Sequence, residues 1–207
     1  MRRTRTLTTR VGIVVATLTA LLAASTPGAQ AAVRNHDVVS RADIVRVFPQ
    51  FRNDDYLGTI VIRDKVLRYP NPEACSTWAE AQGTSGREYG TGYGLTVQKR
   101  TFNTYLVEFA SRAQAKAILR SAKTYVTACA QHWAGLNATV RRAKLPRLGD
   151  QRVAFRTVEY FTSGPKETTT VVVRKGRRVL LTRIMQPTTV PARKVAQISR
   201  VAVRKMG

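Results

Sequence analysis

The chain has little of what catalysis and metal binding need: two histidines, two cysteines and 12 acidic residues among 207. A Ser-His-Asp arrangement therefore has essentially one candidate base, His132, because His36 lies in a segment expected to be mobile. No serine sits in a nucleophile-elbow motif, and no glycine-rich phosphate loop follows a strand and opens a helix. The histidines, cysteines and acids lack the short-range spacing of a metal site. Glu73 and Glu80 are the nearest pairing for two-carboxylate glycoside hydrolysis, and surface acids so spaced usually only solvate. A secreted hydrolase built on Glu73, Glu80 or His132 is thus a minor alternative. No catalytic residue, metal ligand or cofactor is assigned. There is no internal repeat or low-complexity tract, and no later segment reaches the roughly 20 apolar residues of a membrane span.

What the sequence does have begins with an export signal. Arg2, Arg3, Arg5 and Arg10 form an acid-free basic stretch, residues 11–24 are apolar, and Ala29-Gln30-Ala31 supplies small residues before a cut after Ala31. The apolar run is too short to serve as an anchor. Cys75, the first cysteine, is too far along for lipidation, and Arg2-Arg3 lacks the flanks of a twin-arginine signal. Residues 1–31 thus read as a cleaved signal peptide of general secretion. The rest is enough for one domain and one core. We expect residues 32–56 to be a leader with a short helix, residues 57–207 to be the domain, and the protein to be a secreted monomer with no integral membrane segment.

Basic residues are abundant: the net charge is +23, and loss of the four signal arginines takes it only to +19. Such a protein is drawn to anionic wall polymers or lipid headgroups by salt-screened attraction. Candidate polyanion contacts are Arg141, Arg142 and Lys144, and then Arg174, Lys175, Arg177 and Arg178. Solvated faces are the simpler reading of both clusters. Export and the absence of a binding motif argue against sequence-specific nucleic-acid recognition.

Two cysteines in an oxidising compartment most simply pair with each other. A Cys75–Cys129 bridge would be worth about 4 kcal/mol in the chain-entropy model. The competing reading is a free nucleophilic thiol, with His132 near Cys129 in sequence.

Local patterns set the elements. Ser40-x-x-Asp43 caps a short helix over 40–48 that Pro49 ends. Residues 59–68 alternate as a strand, Trp78 is expected on a helical turn, and the glycine-rich stretch 82–94 on an exposed, mobile loop beside a binding site. Two adjacent antiparallel strands are expected near 93–97 and 104–109. The capping box Ser111-x-x-Gln114 opens a long helix with Ala115, Ile118, Leu119, Ala122, Val126, Cys129 and Trp133 on its inner stripe. A strand near 138–143 leads to a meander over 152–162, 167–174 and 178–185. A last helix starts near Thr189, with Pro191 in its first turn. The fold class is α+β, an antiparallel sheet with helices packed on it, in a single domain with a cleft. Trp78, Tyr89, Tyr93 and Tyr160 are candidate ligand-binding residues. Tyr125 and Trp133, on the inner helix stripe, read more readily as core.

One resemblance joins these parts. A strand, Val107-Glu108-Phe109-Ala110, runs into an alanine-rich helix ending on Cys129, with Cys75-x-x-Trp78 before it. Leu148-Gly149-Asp150-x-x-Val153-Ala154-Phe155-Arg156 precedes a hairpin with Val171-Val172-Val173-Arg174-Lys175-Gly176, and a helix over 192–206 closes the order. In this, residues 57–206 resemble the extracellular sensor-domain family of the actinobacterial kinase PknH and its secreted or lipoprotein relatives. The resemblance implies an antiparallel sheet flanked by helices, with a cleft for an extracellular ligand and no catalysis. The chain departs from the kinase's own domain in having one cysteine pair where that domain has two bridges, and in lacking a kinase domain and an anchor. A secreted, non-enzymatic ligand-binding domain of unknown small ligand is the leading expectation. The alternative is a cationic envelope-adhesion protein.

Overall fold

The strongest helix signals in the sequence are its two capping boxes, and both form. In the computed structural model, which describes residues 32–207 except 55, 63–64, 92–99 and 163, Ser40 accepts from the Asp43 amide and Asp43 reaches back to the Ser40 amide. This opens α1, Arg41–Val47. The second box, Ser111 with Gln114, opens α2, Arg112–Ala128. Cys129 ends α2, the short helix α3 follows at Ala130–Gly135, and α4 covers Ala192–Lys205 with Pro191 at its N-cap. The expected signal peptide and Tyr93 lie outside the described residues.

Seven strands form one antiparallel sheet: β1 Tyr56–Val61, β4 Ser85–Thr91, β5 Thr101–Glu108, β6 Ala138–Arg142, β7 Gln151–Phe161, β8 Gly164–Lys175 and β9 Arg178–Gln186. Their order is β1-β4-β5-β9-β8-β7-β6. Two further strands, β2 Val66–Pro70 and β3 Trp78–Gln82, pair as a separate ribbon. The β7-β8-β9 meander expected from the turns is present, and the fold class is α+β as expected.

Both sheet faces carry helices. On one, α1 and α4 cover Phe102, Leu106, Val171, Val173, Leu180 and Ile184. Phe48, Phe51 and Phe102 meet there in tilted and edge-to-face contacts at 6.0–6.2 Å, each such pair worth about 1 kcal/mol beyond its buried area. On the other face, the inner stripe of α2, Ala115, Ile118, Leu119 and Ala122, packs on Val107, Val153, Val172, Val179 and Leu181.

Three expectations are corrected. The supposed leader is core: Val33, Val38, Val39, Ile44, Phe48 and Phe51 are all buried with the sheet, so the domain starts near residue 32 rather than 57. Asp37 holds this segment in place through the buried guanidinium of Arg178 at 3.5 Å. Trp78 opens strand β3 opposite Pro70 instead of lying on a helical turn. Residues 85–91, expected in a mobile loop, are strand β4, pairing with β5 from Ser85 opposite Glu108 to Gly90 opposite Asn103. Glycine is required there by close approach: a Cβ at Gly83 would fall 2.7 Å from the Glu108 carbonyl oxygen, and one at Gly90 2.6 Å from that of Phe102.

Candidate functional site

Strand alternation makes the α2 face of the sheet change character along its length. Val153, Val172 and Leu181 stand side by side on β7, β8 and β9 and are covered by α2. The next row along is Phe155, Thr170 and Arg183, and beyond it Thr157 lies opposite Thr168. Aliphatic residues thus give way to hydroxyls and a charge where α2 comes to its end.

The disulfide builds a wall over this polar stretch. Cys75 and Cys129 are bonded, as expected from their number and compartment. Cys129 is fully buried, in a cluster with Tyr125, Val126, Val140 and Phe155, and no free cysteine remains, which removes the thiol-nucleophile reading. The bond ties the 71–77 loop to the end of α2, while Ser121 Oγ donates to the Pro70 carbonyl at 3.0 Å. Asn71 Oδ1 accepts from the Glu73 amide and the Thr77 amide bonds to the Ala74 carbonyl, so the loop is also internally braced.

Between loop and sheet lies a cleft of about 140 Å³. Its floor includes Phe155, Thr157, Thr168, Thr170 and Arg183, and its walls Pro70, Trp78, Tyr125 and Trp133, with Glu159 also facing it. Trp133 Nε1 donates to Tyr125 Oη at 2.8 Å, and Tyr125 Oη donates to the Cys75 carbonyl at 3.4 Å. Burial pushes the Tyr125 phenol above its ordinary pKa, opposed by the Trp133 hydrogen bond and the Arg183 charge. The group stays neutral. The Arg183 guanidinium lies over the Trp78 ring, 4.6 Å from its centroid.

The structure divides the residues expected at a site. Trp78 lines the cleft. Tyr89 is buried in the core on the opposite face, because its neighbours Glu88 and Gly90 take the α2 side of β4. Tyr160 is half exposed at the far end of β7 and does not line the cleft. Tyr125 and Trp133 prove to be cleft wall as well as core.

The basic clusters divide too. Arg141, Arg142 and Lys144 are exposed at and just beyond the edge strand β6. The second cluster is a correction, because most of its charge is spent inside the domain. Arg174 pairs with Asp150 at 3.0 Å, Arg177 with Glu108 at 2.9 Å, and Arg178 with Glu108 and Asp37. Arg178 also donates to the Met206 carbonyl at 2.6 Å. Lys175 is half-buried between them.

Sequence reading missed Arg183, Thr157, Thr168, Thr170 and Glu159. Their only signal was polar residues at inward positions of otherwise aliphatic strands. Glu73 and His132 are exposed, and Glu80 is paired with Arg68 at 2.8 Å. None of the three lines the cleft. Among the described residues no group of histidine, cysteine and acidic side chains could hold a metal ion, and no helix is long and apolar enough to cross a membrane.

The domain is thus an α+β antiparallel-sheet domain with a disulfide-walled cleft on one face. It is similar in fold to the extracellular domain of PknH from Mycobacterium tuberculosis, at a TM-score of 0.55 and 10 % identity over 85 % of this chain and 97 % of that one. Two solved structures are less alike. One is a Rv0999 orthologue from Mycobacterium smegmatis, with a TM-score of 0.42 and 12 % identity over 83 % of this chain and 98 % of that one. The other is LpqN of M. tuberculosis, involved in cell envelope biogenesis, with a TM-score of 0.27 and 7 % identity over 73 % and 82 %. No family model matches the chain, and no curated protein matches it. At 10 % identity the likeness to the PknH domain is one of fold.

Proposed function

We propose that residues 32–207 act outside the cytoplasm as a non-enzymatic, sensor-like domain that binds a small ligand in the cleft between the sheet, the end of α2 and the 71–77 loop. The observation that carries this reading is the uncovered polar end of a sheet face that is otherwise packed. A domain selected for stability alone would have capped that stretch or kept it aliphatic, whereas here a braced loop stands off it and leaves room. Aromatic walls with a few polar groups suit ligand binding. The charged groups present, Arg183 and Glu159, come without a nucleophile and base in mutual contact, which suits binding rather than turnover. The export signal, the disulfide and the shared fold with an extracellular domain support an extracytoplasmic site of action.

The test is native mass spectrometry of the protein purified from its own host. We expect a bound small mass that is lost in Trp78→Ala. Protein without bound mass, together with no saturable response of either indole to a broad set of small metabolites, would overturn the reading.

A second reading, adhesion to anionic envelope polymers, is favoured by the outer face of α2. Arg112, Lys116 and Arg120 are exposed there at helical spacing, the helix carries no acid, and Arg142 reaches the Lys123 carbonyl at 3.4 Å. It predicts binding that collapses with salt.

A further inference from the structure

A sheltered guanidinium needs partners, because arginine keeps its charge at any ordinary pH and carries five N–H donors. Every other sheltered arginine among the described residues has them. Arg87, Arg100 and Arg152 hold an asparagine, an aspartate and a backbone carbonyl. Arg156, whose buried Nε likewise lacks a hydrogen-bond partner, still donates through Nη2 to the Val190 carbonyl at 2.6 Å and pairs with Glu167 at 3.5 Å, and Arg174, Arg177 and Arg178 hold carboxylates. Arg183 is the exception. It is half-buried, its Nε is fully buried, and that nitrogen has no hydrogen-bond partner. The one contact of its guanidinium is the face of Trp78, 4.6 Å from the ring centroid, a contact that uses none of its N–H donors.

The surroundings narrow what those donors would meet. Thr170 is directly opposite Arg183 across β8 and β9, and Thr168 is one step further along the same face. Both are buried at the cleft floor, and their hydroxyls can donate to an oxyanion. Glu159 faces the same cleft without an ion pair, so a second negative charge on a ligand would be repelled. The rest of the lining is mostly apolar or aromatic, Pro70, Trp78, Tyr125, Trp133 and Phe155, with Ser76 and Thr77 adding hydroxyls on the loop side. A volume near 140 Å³ is close to that of cavities that admit a benzene ring, about 150 Å³.

From this we infer that the cleft takes a small monoanion, a single carboxylate on a ring-sized apolar body, and that Arg183 reads the carboxylate through its N–H donors. The inference rests on the binding reading above and adds the ligand's chemistry. Planar, two-toothed recognition by arginine suits a carboxylate, and threonine hydroxyls complete its oxygen shell.

The chain's two tryptophans, Trp78 and Trp133, both line the cleft, so their indole N–H resonances report its occupancy. Benzoate and its neutral counterpart benzamide are titrated into the purified protein. Benzoate is expected to move both indoles saturably with a Kd on the order of 1 mM. Benzamide should bind about tenfold or more weaker, the worth of a charge-assisted pair. Arg183→Met, which keeps the stem over Trp78, should erase the preference for benzoate while leaving benzamide binding in place. Arg183→Lys should retain only part of the preference. Inorganic phosphate should bind more weakly than benzoate, and Glu159→Gln should narrow that gap. Equal binding of benzoate and benzamide, an unchanged preference in Arg183→Met, or tighter binding of phosphate would overturn the carboxylate assignment while leaving the cleft a binding site. No saturable indole response to either aromatic probe would overturn the carboxylate assignment and the binding reading together.

Discussion

The two faces of the seven-stranded sheet are finished differently. On the α1 and α4 face, helices close over an apolar centre of Phe102, Leu106, Val171, Val173, Leu180 and Ile184, and the buried acids are paired: Glu167 takes bonds from Thr189 Oγ1 and the Val190 amide, and Asp37 and Glu108 share Arg178. On the α2 face the packing stops partway. Beyond that line lie threonines, Arg183 and Glu159, facing a cleft. The first face is organised for stability, and the second divides its area between stability and a site. Equal numbers of buried atoms therefore do not carry equal consequences.

Substitutions should expose the difference. The largest effect is expected at Phe102, fully buried between Phe48 and Phe51. Phe102→Ala should cost about 3–5 kcal/mol in urea unfolding, and a loss under 1 kcal/mol would contradict the account of the closed face. Replacing both cysteines with serine should cost about 2–5 kcal/mol, as expected for a bridge closing a 54-residue separation. Because the bridge also holds the 71–77 loop, cleft binding should be lost in protein that remains folded.

Asp43→Asn is expected to cost about 0.5–2 kcal/mol at neutral pH, since the neutral amide can still accept from the Ser40 amide but loses the ion pairs with Arg46 at 2.6 Å and Lys205 at 3.0 Å. Burial raises the Asp43 pKa, but hydrogen bonds from the Ser40 backbone, Lys205 and the Ser40 hydroxyl outweigh it and hold the group below 3.8. A depressed carboxylate stabilises the fold above its unfolded pKa, and that contribution is lost as pH falls through the folded value. The difference between wild type and Asp43→Asn should therefore shrink as pH drops below about 4. A difference constant from pH 7 to pH 2.5 would contradict the ionic account.

The smallest effects are expected in the cleft. Thr170→Val and Arg183→Met should each change stability by less than about 1 kcal/mol, because neither side chain makes a hydrogen bond among the described residues and Arg183 loses only its contact with the half-exposed Trp78 ring. By burial alone Thr170 is as packed as a core residue, so a cost near that of Phe102→Ala would erase the contrast between the faces.

Much of this architecture was legible in the sequence because its signals are local. Capping boxes, the 3.6-residue stripe of α2, the turns of the β7-β8-β9 meander and the two cysteines each act over a few residues or follow from counting. What was not legible depends on distant partners. Gly83, Gly86 and Gly90 read as a loop, yet they mark where the backbone runs hard against β5. Val33, Val38 and Val39 looked like a leader because the core they join is built from residues far along the chain, with the Val33 amide held by Ser85 of β4. Arg174 and Arg178 looked like surface charge until Asp150, Glu108 and Asp37 were brought to them. Arg183 was one cation among 35 basic residues, and only its lack of a partner in the folded chain sets it apart.

The central claim, that the uncovered row is a site rather than unfinished core, is tested most directly by unfolding wild type and Arg183→Met with and without benzoate. At ten times its Kd, benzoate should stabilise the wild type by about 1.4 kcal/mol and Arg183→Met by much less, with the two proteins equally stable when no benzoate is present. Equal stabilisation of both, or a large loss of stability in the variant alone, would contradict it.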